Sequence, residues 1–154
     1  MRAILAGTLE TGLGTVRNNV TILIEKGRIV EIADGLDPKG ASDVTDAKSM
    51  VVTPGFIDAH THIGTYCEGF PEGMADANDM VDPIAPQLRI IDAIYQDDTA
   101  FADALAGGVT CVQTLPGSGN VIGGQGAVIK TATSRNGRKL VVEDMVVCAP
   151  SSIK

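Results

Sequence analysis

Two histidines, His60 and His62, are the side chains of this sequence best suited to chemistry, and the chain has no others. Along an extended strand, residues i and i+2 point to the same face, with their backbones about 7 Å apart. Two imidazoles in that arrangement can converge on one divalent cation, and imidazole nitrogen is a preferred ligand of zinc. In an arbitrary sequence such a pair is more often solvated or packed, so its setting in the chain decides between the two interpretations.

The residues before the histidines predict how these are positioned. The run Gly55-Phe56-Ile57 favours a buried strand, and the histidines fall where that strand ends and polar residues begin. Asp58 lies two residues before His60 and is expected to share its face of the strand. Its carboxylate can orient a metal-binding histidine by accepting a hydrogen bond, and an ordinary strand-end carboxylate is an equally good interpretation.

Three stretches of the chain resemble the amidohydrolase superfamily, the metal-dependent hydrolases built on a (β/α) barrel. The string at 52–62, VTPGFIDAHTH, is similar to the signature of that superfamily. The stretch at 108–120, GVTCVQTLPGSGN, with GGQG at 123–126, resembles the second barrel strand and its loop in the imidazolonepropionase-like branch. The run at 19–32, NVTILIEKGRIVEI, is similar to strands of the small β-sandwich that precedes the barrel in these enzymes.

The resemblance implies an α/β fold with a β-rich N-terminus. Residues 1–53 would supply strands of the small β-sandwich, and residues 54–154 the first segments of a (β/α)8 TIM-type barrel. Such a barrel takes about 250 residues, whereas the whole chain has 154, so the barrel is expected to be incomplete. The sequence is therefore interpreted as the N-terminal portion of an amidohydrolase. Truncation, cleavage and one half of a split enzyme are open alternatives.

The activity that the resemblance implies is metal-dependent hydrolysis of a carbon–nitrogen bond in a small-molecule amide, such as a cyclic amide, an N-acyl group or a dipeptide. His60 and His62 would hold one divalent metal, commonly zinc. In the family, later strands add a bridging carboxylated lysine or glutamate, two further histidines and a proton-transferring aspartate. Because no third histidine is present, the chain alone is expected to be inactive. Lys130 does not match the bridging lysine and is interpreted as structural.

Two predicted loops contain the remaining polar candidates. The loop at 64–86 carries Tyr66, Glu68, Glu72, Asp76, Asp79 and Asp82. A solvated surface is favoured over metal binding for its carboxylates. The loop at 116–126 lacks the Gly-Lys-Ser/Thr end of a phosphate-binding loop. It is either a flexible turn or a substrate-side loop whose Asn120 and Gln125 hydrogen-bond a carbonyl or carboxylate, and both interpretations stay open.

Periodicity and turn residues predict the elements that position these groups. Extended segments are expected at 3–6, 20–25, 28–33, 43–45 and 50–53, with a hairpin turn at 25–28. Residues 87–95 are ambiguous between helix and strand. A helix is expected to begin near Asp97-Asp98-Thr99 and to end at Gly107-Gly108, followed at once by a strand over 109–115. Residues 127–131 are expected to be extended. A helix followed by a buried strand is half of a parallel β/α unit.

Composition narrows the class of protein. With 44% apolar and 20% charged residues the chain is typical of a globular protein. A net charge of −7 argues against nucleic-acid binding, which needs clustered basic residues. No apolar run of about 18 residues is available to cross a membrane. Cys67, Cys111 and Cys148 lack zinc-type spacing and are interpreted as reduced thiols of a cytoplasmic protein, rather than as disulfide partners or ligands.

A non-catalytic interpretation stays open beside the enzymatic one. The chain could be a remnant whose β-rich N-terminus acts as an oligomerising or binding module. Unpaired sheet edges favour self-association or pairing with a complementary C-terminal chain. Stoichiometric metal separates the two hypotheses, because a catalytic half-enzyme with its partner holds metal and a remnant does not hold it tightly.

Overall fold

The computed structural model describes residues 1–69, 71, 75–133 and 139–141. The chain divides into two compact units, Met1–Pro54 and Gly55–Lys154. Glu72 and Cys148, which were considered above, lie outside the described residues. Among the helices of the described part, none has the length and apolar character that crossing a membrane requires.

The first unit is a single four-stranded sheet. Its strands are β1 (Arg2–Glu10), β2 (Val16–Glu25), β3 (Arg28–Asp34) and β4 (Asp43–Val52), in the order β3-β2-β1-β4. The pairs β1/β2 and β2/β3 are antiparallel, and β4 runs parallel to β1. The predicted hairpin is confirmed, because Lys26 and Gly27 both have positive φ (49° and 76°), as a two-residue type I′ turn requires. The extended segments predicted at 43–45 and 50–53 belong to one strand.

The apolar side chains of this sheet gather around its central strands. Ala6 and Leu9 of β1 and Val20 and Ile22 of β2 form a buried cluster. Ile29 and Val30 of the edge strand β3 are more than half exposed. The segment that was expected to supply strands of a β-sandwich therefore forms one layer, and within Met1–Pro54 no second sheet lies against it.

In its described part, the second unit combines a second four-stranded sheet with a short α-helix. Its strands are β5 (Phe56–Thr61), β6 (Val109–Thr114), β7 (Ala127–Thr133) and β8 (Lys139–Val141), in that order across the sheet. Helix α1 (Ala100–Ala106) ends at Gly107, as predicted, and β6 begins two residues later. The ambiguous segment 87–95 contains a 3₁₀ turn at Ile90–Asp92. The predicted strands over 109–115 and 127–131 are confirmed as β6 and β7.

Strand direction in the second unit agrees with a (β/α) barrel for β5 and β6 but not for β7 and β8. β5 and β6 are parallel, with α1 between them in the chain, and together they make one parallel β/α unit. β7 is antiparallel to β6, and β8 is antiparallel to β7. A (β/α)8 barrel has eight parallel strands. The described strands of the second unit therefore contain one parallel pair, β5 and β6, and the rest of the barrel stays a prediction.

The prediction of a buried strand at Gly55-Phe56-Ile57 is wrong in one respect. The residues do form β5, but Phe56 is 58% exposed and Ile57 is 72% exposed. The reason is the position of β5 at the edge of its sheet, where only β6 pairs with it. The buried apolar cluster of this unit lies further along the chain, and its members are Ile90, Phe101, Val112, Ala127 and Ile129.

Close contact between β5 and β6 requires glycine at position 55. A Cβ there would overlap Oγ1 and Cγ2 of Thr110 and lie 2.8 Å from its Cβ. We expect Gly55→Ala to destabilise the second unit by about 3 kcal/mol, since overpacking costs roughly 1–3 kcal/mol. Urea unfolding followed by far-UV circular dichroism measures this. Gly107→Ala is the matched control, because its Cβ would meet nothing closer than 3.4 Å and its φ is −77°.

Two further results would test this account of Gly55. Combining Gly55→Ala with Thr110→Ala is expected to recover most of the lost stability, because the overlapping Oγ1 and Cγ2 atoms are then gone. An unfolding midpoint of Gly55→Ala equal to that of the unchanged chain would contradict the close β5–β6 contact.

Candidate metal centre

His60 and His62 lie together at the end of β5. His60 is the penultimate residue of β5, and His62 is the first residue after the strand. Their ring centroids are 5.4 Å apart and the ring planes are nearly perpendicular, at 87°. Two imidazole nitrogens bound to one tetrahedral zinc at about 2.0–2.1 Å place their ring centres about 5 Å apart. The two rings are neighbours, as their spacing along the strand predicts, at a separation close to that of two zinc-bound imidazoles. Binding of one metal ion by both stays a prediction.

The ring of His62 is held in place by the end of the neighbouring strand. Its Nδ1 lies 2.8 Å from the carbonyl oxygen of Leu115, the residue that follows β6. A carbonyl only accepts hydrogen bonds, so Nδ1 is the donor and carries the proton. Nε2 of the neutral ring is then left with its lone pair for a ligand. The Leu115 N–H in turn donates to the Thr61 carbonyl at 2.9 Å, which links the ends of β5 and β6.

A turn immediately after His62 brings a tyrosine against its ring. The His62 carbonyl accepts hydrogen bonds from the N–H groups of Thr65 (3.0 Å) and Tyr66 (3.1 Å). The Tyr66 ring then meets the His62 ring edge to face, with centroids 5.7 Å apart and planes at 82°. His62 thus contacts an aromatic ring on each of two sides, His60 and Tyr66. The sequence identified Tyr66 only as one polar residue of a long loop.

Asp58 supports His60 through the main chain. Its Oδ1 accepts a hydrogen bond from the His60 backbone N–H at 3.0 Å, and its side chain is exposed. The contact fixes the backbone at the first histidine rather than the orientation of an imidazole. Of the two interpretations of Asp58, support of the strand end agrees with this geometry, and a direct role in orienting a metal ligand stays a prediction.

Asp98 is a functional candidate that sequence reasoning did not identify. It is 4% exposed, and its carboxylate accepts three backbone hydrogen bonds: from Gly64 (2.9 Å), Glu68 (3.2 Å) and Ala100 (3.1 Å). The sequence placed it only near a helix cap. Asp98 caps the N-terminus of α1 in place of Thr99, which makes no side-chain cap bond. Its bonds to Gly64 and Glu68 also tie the turn after His62 to α1. The three backbone N–H donors supply the hydrogen bonds that a buried carboxylate requires.

Cys67 lies in the same turn and is a free thiol, as is Cys111. Burial raises the pKa of the Cys67 thiol, and the nearby Asp98 carboxylate raises it further. Its sulfur lies 3.6 Å from the Gly64 carbonyl, to which the thiol donates. Because the thiolate is the form that binds metal, this environment agrees with the interpretation of Cys67 as a reduced, non-ligand thiol.

The two predicted substrate-side residues bind loop carbonyls within the protein. Asn120 is 3% exposed, and its Nδ2 donates to the carbonyls of Asp79 and Asp82, both at 2.7 Å. The Gln125 Nε2 donates to the Pro86 carbonyl at 3.2 Å. These bonds tie the loop at 116–126 to the loop at 64–86. That connection does not agree with a freely flexible turn, and a substrate contact by either amide stays a prediction.

Asp76, Asp79 and Asp82 of the long loop form no metal-binding group with the histidines. Asp79 and Asp82 each accept a hydrogen bond from a backbone N–H two residues later, at 2.8 and 3.0 Å. Asp76 and Asp79 line a cleft of about 620 Å³, which the two histidines do not line. Over residues 1–69, 71, 75–133 and 139–141, no three His, Cys, Asp or Glu side chains are arranged to hold a metal. Lys130 lies exposed on β7.

Comparison with known proteins assigns the chain to a superfamily. The amidohydrolase tasK of Hapsidospora irregularis is 32% identical over 118 residues, which are 75% of this chain and 12% of that protein. Allantoinases of Escherichia coli strains are 39% identical over 70 residues, covering 38% of this chain and 16% of theirs. No family model matches the chain.

A solved structure is similar over nearly the whole chain. The crystal structure of an amidohydrolase from Thermotoga maritima MSB8 matches with a TM-score of 0.79 and 31% identity, covering 97% of this chain and 37% of that one. The chain thus spans less than two fifths of the proteins it matches. The sequence identity, the shared fold and the paired histidines at the end of β5 agree: this chain belongs to the amidohydrolase superfamily and corresponds to the N-terminal portion of such a protein.

Proposed function

We propose that this chain is the N-terminal part of a metal-dependent hydrolase that cleaves carbon–nitrogen bonds, and that His60 and His62 are two of its metal ligands. The observation that carries the proposal is the pair of imidazoles 5.4 Å apart, one of them held through Nδ1 by the Leu115 carbonyl. The β5–α1–β6 unit would be the first part of a (β/α)8 barrel. Later strands would supply the remaining ligands, as the resemblance to the imidazolonepropionase-like branch implies.

The donor set favours zinc among the divalent metals. Both ligands are imidazoles, which suit zinc better than they suit the oxygen-preferring magnesium and calcium ions. When bound, a zinc ion would polarise the scissile carbonyl and make water a better nucleophile at neutral pH. A hydrogen bond from the distal ring nitrogen to a carbonyl fixes the tautomer and increases the basicity of a ligating histidine. In this chain the Leu115 carbonyl would make that contribution at His62, if His62 binds the metal as we propose.

The substrate that we propose is a small-molecule amide. The relatives are named an amidohydrolase, an allantoinase and a 5'-deoxyadenosine deaminase. These names support a reaction at a carbon–nitrogen bond. The resemblance to the imidazolonepropionase-like branch implies a cyclic amide, an N-acyl group or a dipeptide as the group attacked. The loop at 116–126 would face the substrate, and its Asn120 and Gln125 would hydrogen-bond a carbonyl or carboxylate of the substrate. A cytoplasmic location agrees with the free thiols of Cys67 and Cys111.

Zinc binding by the purified chain tests the metal site directly. Isothermal titration of the metal-free 154-residue chain with Zn²⁺ is expected to give one equivalent bound at micromolar affinity, because two imidazoles supply half of a tetrahedral site. Stoichiometry well below one, or affinity equal to that of a histidine-free variant, would contradict the proposal and leave the non-catalytic module as the better hypothesis.

Association with another chain is the second part of the proposal, and the exposed strand β5 supports it. Phe56 and Ile57 project from an edge strand at 58% and 72% exposure. Burying an apolar side chain of this size contributes roughly 1.5–3 kcal/mol, and an open edge also offers unpaired backbone groups. A second copy or a complementary C-terminal chain would cover this strand. The same feature favours the alternative function, an oligomerising module without catalysis.

We expect the purified chain to have a mass above 15.9 kDa by light scattering at micromolar concentration. The double variant Phe56→Ser/Ile57→Thr is expected to shift the mass to that of the monomer, because it removes the apolar surface of β5. Val81→Ser is the matched control, since Val81 is an apolar residue that is 93% exposed but lies in a loop. A monomeric mass for the unchanged chain, with cooperative unfolding, would show that no partner is needed.

A further inference from the structure

The side chain of Asn78 joins the two loops that follow β5 and β6. Its Nδ2 donates a hydrogen bond to the phenol oxygen of Tyr66 at 2.9 Å. Its Oδ1 accepts a hydrogen bond from the Gly119 backbone N–H at 2.7 Å. One amide therefore connects the turn after His62 with the loop after β6, and it uses a donor on one side and an acceptor on the other.

The glycines of the second loop are explained by this contact. A Cβ on Gly117 would lie 2.6 Å from both Nδ2 and Oδ1 of Asn78, and a Cβ on Gly119 would lie 2.7 Å from Oδ1. Real Cβ atoms do not approach so closely, so the amide fits against the loop only because both positions lack side chains. The Gly117 N–H also donates to the Ala77 carbonyl at 2.8 Å. The loop PGSGN at 116–120 thus packs against the Asn78 side chain and binds it, and it is not a phosphate-binding loop.

The same contact reaches the candidate metal ligands through one intermediate residue. The Tyr66 ring, whose hydroxyl Asn78 binds, lies edge to face against the His62 ring at 5.7 Å. Tyr66 is 49% exposed, so a hydrogen bond at its hydroxyl restricts a ring that solvent would otherwise leave free to change rotamer. The contacts run from Gly119 through Asn78 and Tyr66 to His62.

We propose that Asn78 is a positioning residue for His62 and that it acts through Tyr66. Asn78 fixes the Tyr66 ring, and the Tyr66 ring then limits rotation of the His62 imidazole. This holds the imidazole in the orientation set by the Leu115 carbonyl. The effect on metal binding rests on the proposed function, in which His62 is a ligand, whereas the effect on the His62–Tyr66 contact does not.

A double-mutant cycle on the full 154-residue chain tests the proposal. The variants are Asn78→Ala, Tyr66→Phe and the two combined, and each is measured in two ways. Nuclear Overhauser contacts between the rings of residues 62 and 66 report the geometry without metal, and titration with Zn²⁺ reports affinity. Thermal melting by circular dichroism reports folding separately. Asp76→Ala is the matched control, because Asp76 is exposed in the same loop.

The expected result is a loss shared by the variants. Asn78→Ala is expected to weaken the ring contact and to lower Zn²⁺ affinity about 10-fold, the lower end of the range for residues that orient metal ligands. Tyr66→Phe removes the hydroxyl that Asn78 binds, so it should have a similar effect, and the double variant should be no worse than either single variant. Gly119→Ala displaces the amide and should reproduce Asn78→Ala. Asp76→Ala should leave both measurements unchanged.

Two outcomes would overturn the proposal. One is an Asn78→Ala chain with unchanged ring contacts and unchanged Zn²⁺ affinity, and the other is a double variant whose losses are the sum of the single ones. If Asn78→Ala does not fold, Tyr66→Phe and Asn78→Ser decide in the same way. If the unchanged chain binds no Zn²⁺, the metal site fails, and the ring contacts alone still support or overturn the role of Asn78.

Discussion

Replacing His60 or His62 by alanine is expected to weaken Zn²⁺ binding by about two orders of magnitude, and replacing both is expected to abolish it. Each imidazole supplies one short coordinate bond to the metal, and a site with two protein ligands has no others to compensate for the loss. The effect should be slightly larger at His62, because the Leu115 carbonyl holds its ring in place. An ordered ligand pays less conformational entropy on binding than a free one.

The measurement is titration of each metal-free variant with Zn²⁺. A parallel titration with Co²⁺, followed by the visible absorption of the bound ion, reports independently on the number of ligands. Thr61→Val is the matched control. Thr61 lies between the histidines, and its hydroxyl donates to the Gln113 carbonyl at 3.2 Å. The substitution therefore disturbs the strand but removes no imidazole. Zn²⁺ affinity that survives in the double histidine variant would show that the metal binds elsewhere, and the proposed centre would be abandoned.

Local patterns were sufficient to predict most of the elements. The β2–β3 hairpin follows from a β-branched run and an alternating run joined by Lys26-Gly27, and the end of α1 follows from Gly107-Gly108. The convergence of His60 and His62 follows from their spacing along a strand. Each of these depends on neighbours within a few residues, where backbone preferences and turn chemistry dominate.

The contacts that complete the site join distant parts of the chain. The Leu115 carbonyl that binds His62 is 53 residues away in sequence, and Asn78 and Gly119 are 41 residues apart. No periodicity relates such pairs, because they meet only after two strands pair and their loops fold onto each other. Asp98 was predicted as part of a helix cap, but its bonds to Gly64 and Glu68 depend on how the turn after His62 packs.

Burial was the property that local sequence predicted least well. An apolar run such as Gly55-Phe56-Ile57 is typical of a strand covered on both faces, and the exposure of Phe56 and Ile57 depends on what lies beside β5. Whether a strand is central or at an edge is decided by pairing across the whole sheet. Local sequence can therefore predict that residues 56–61 form a strand and still predict their burial wrongly, because the strands that pair with β5 are distant in the sequence.

The chain alone is expected to hydrolyse no amide at a measurable rate, even when loaded with Zn²⁺. Its described residues offer two imidazoles and no third metal-binding side chain beside them. The described carboxylate Asp58 accepts a hydrogen bond from the His60 backbone N–H. A proton-transferring group contributes typically 10²–10⁴-fold to such reactions, and the resemblance implies that a later strand supplies it. Turnover should appear when a second chain supplies the remaining strands with their ligands and acid–base group.

The measurement compares the 154-residue chain, with and without Zn²⁺, against a mixture that also contains the C-terminal part of a longer relative such as the Thermotoga maritima amidohydrolase. A cyclic amide, an N-acyl amino acid and a dipeptide serve as substrates. Activity of the mixture should disappear when the His60→Ala/His62→Ala chain replaces the unchanged one, because the metal then loses half of its tetrahedral ligands. Zn²⁺-dependent turnover by the 154-residue chain alone, lost in that double variant, would show that this chain completes a catalytic site without a partner.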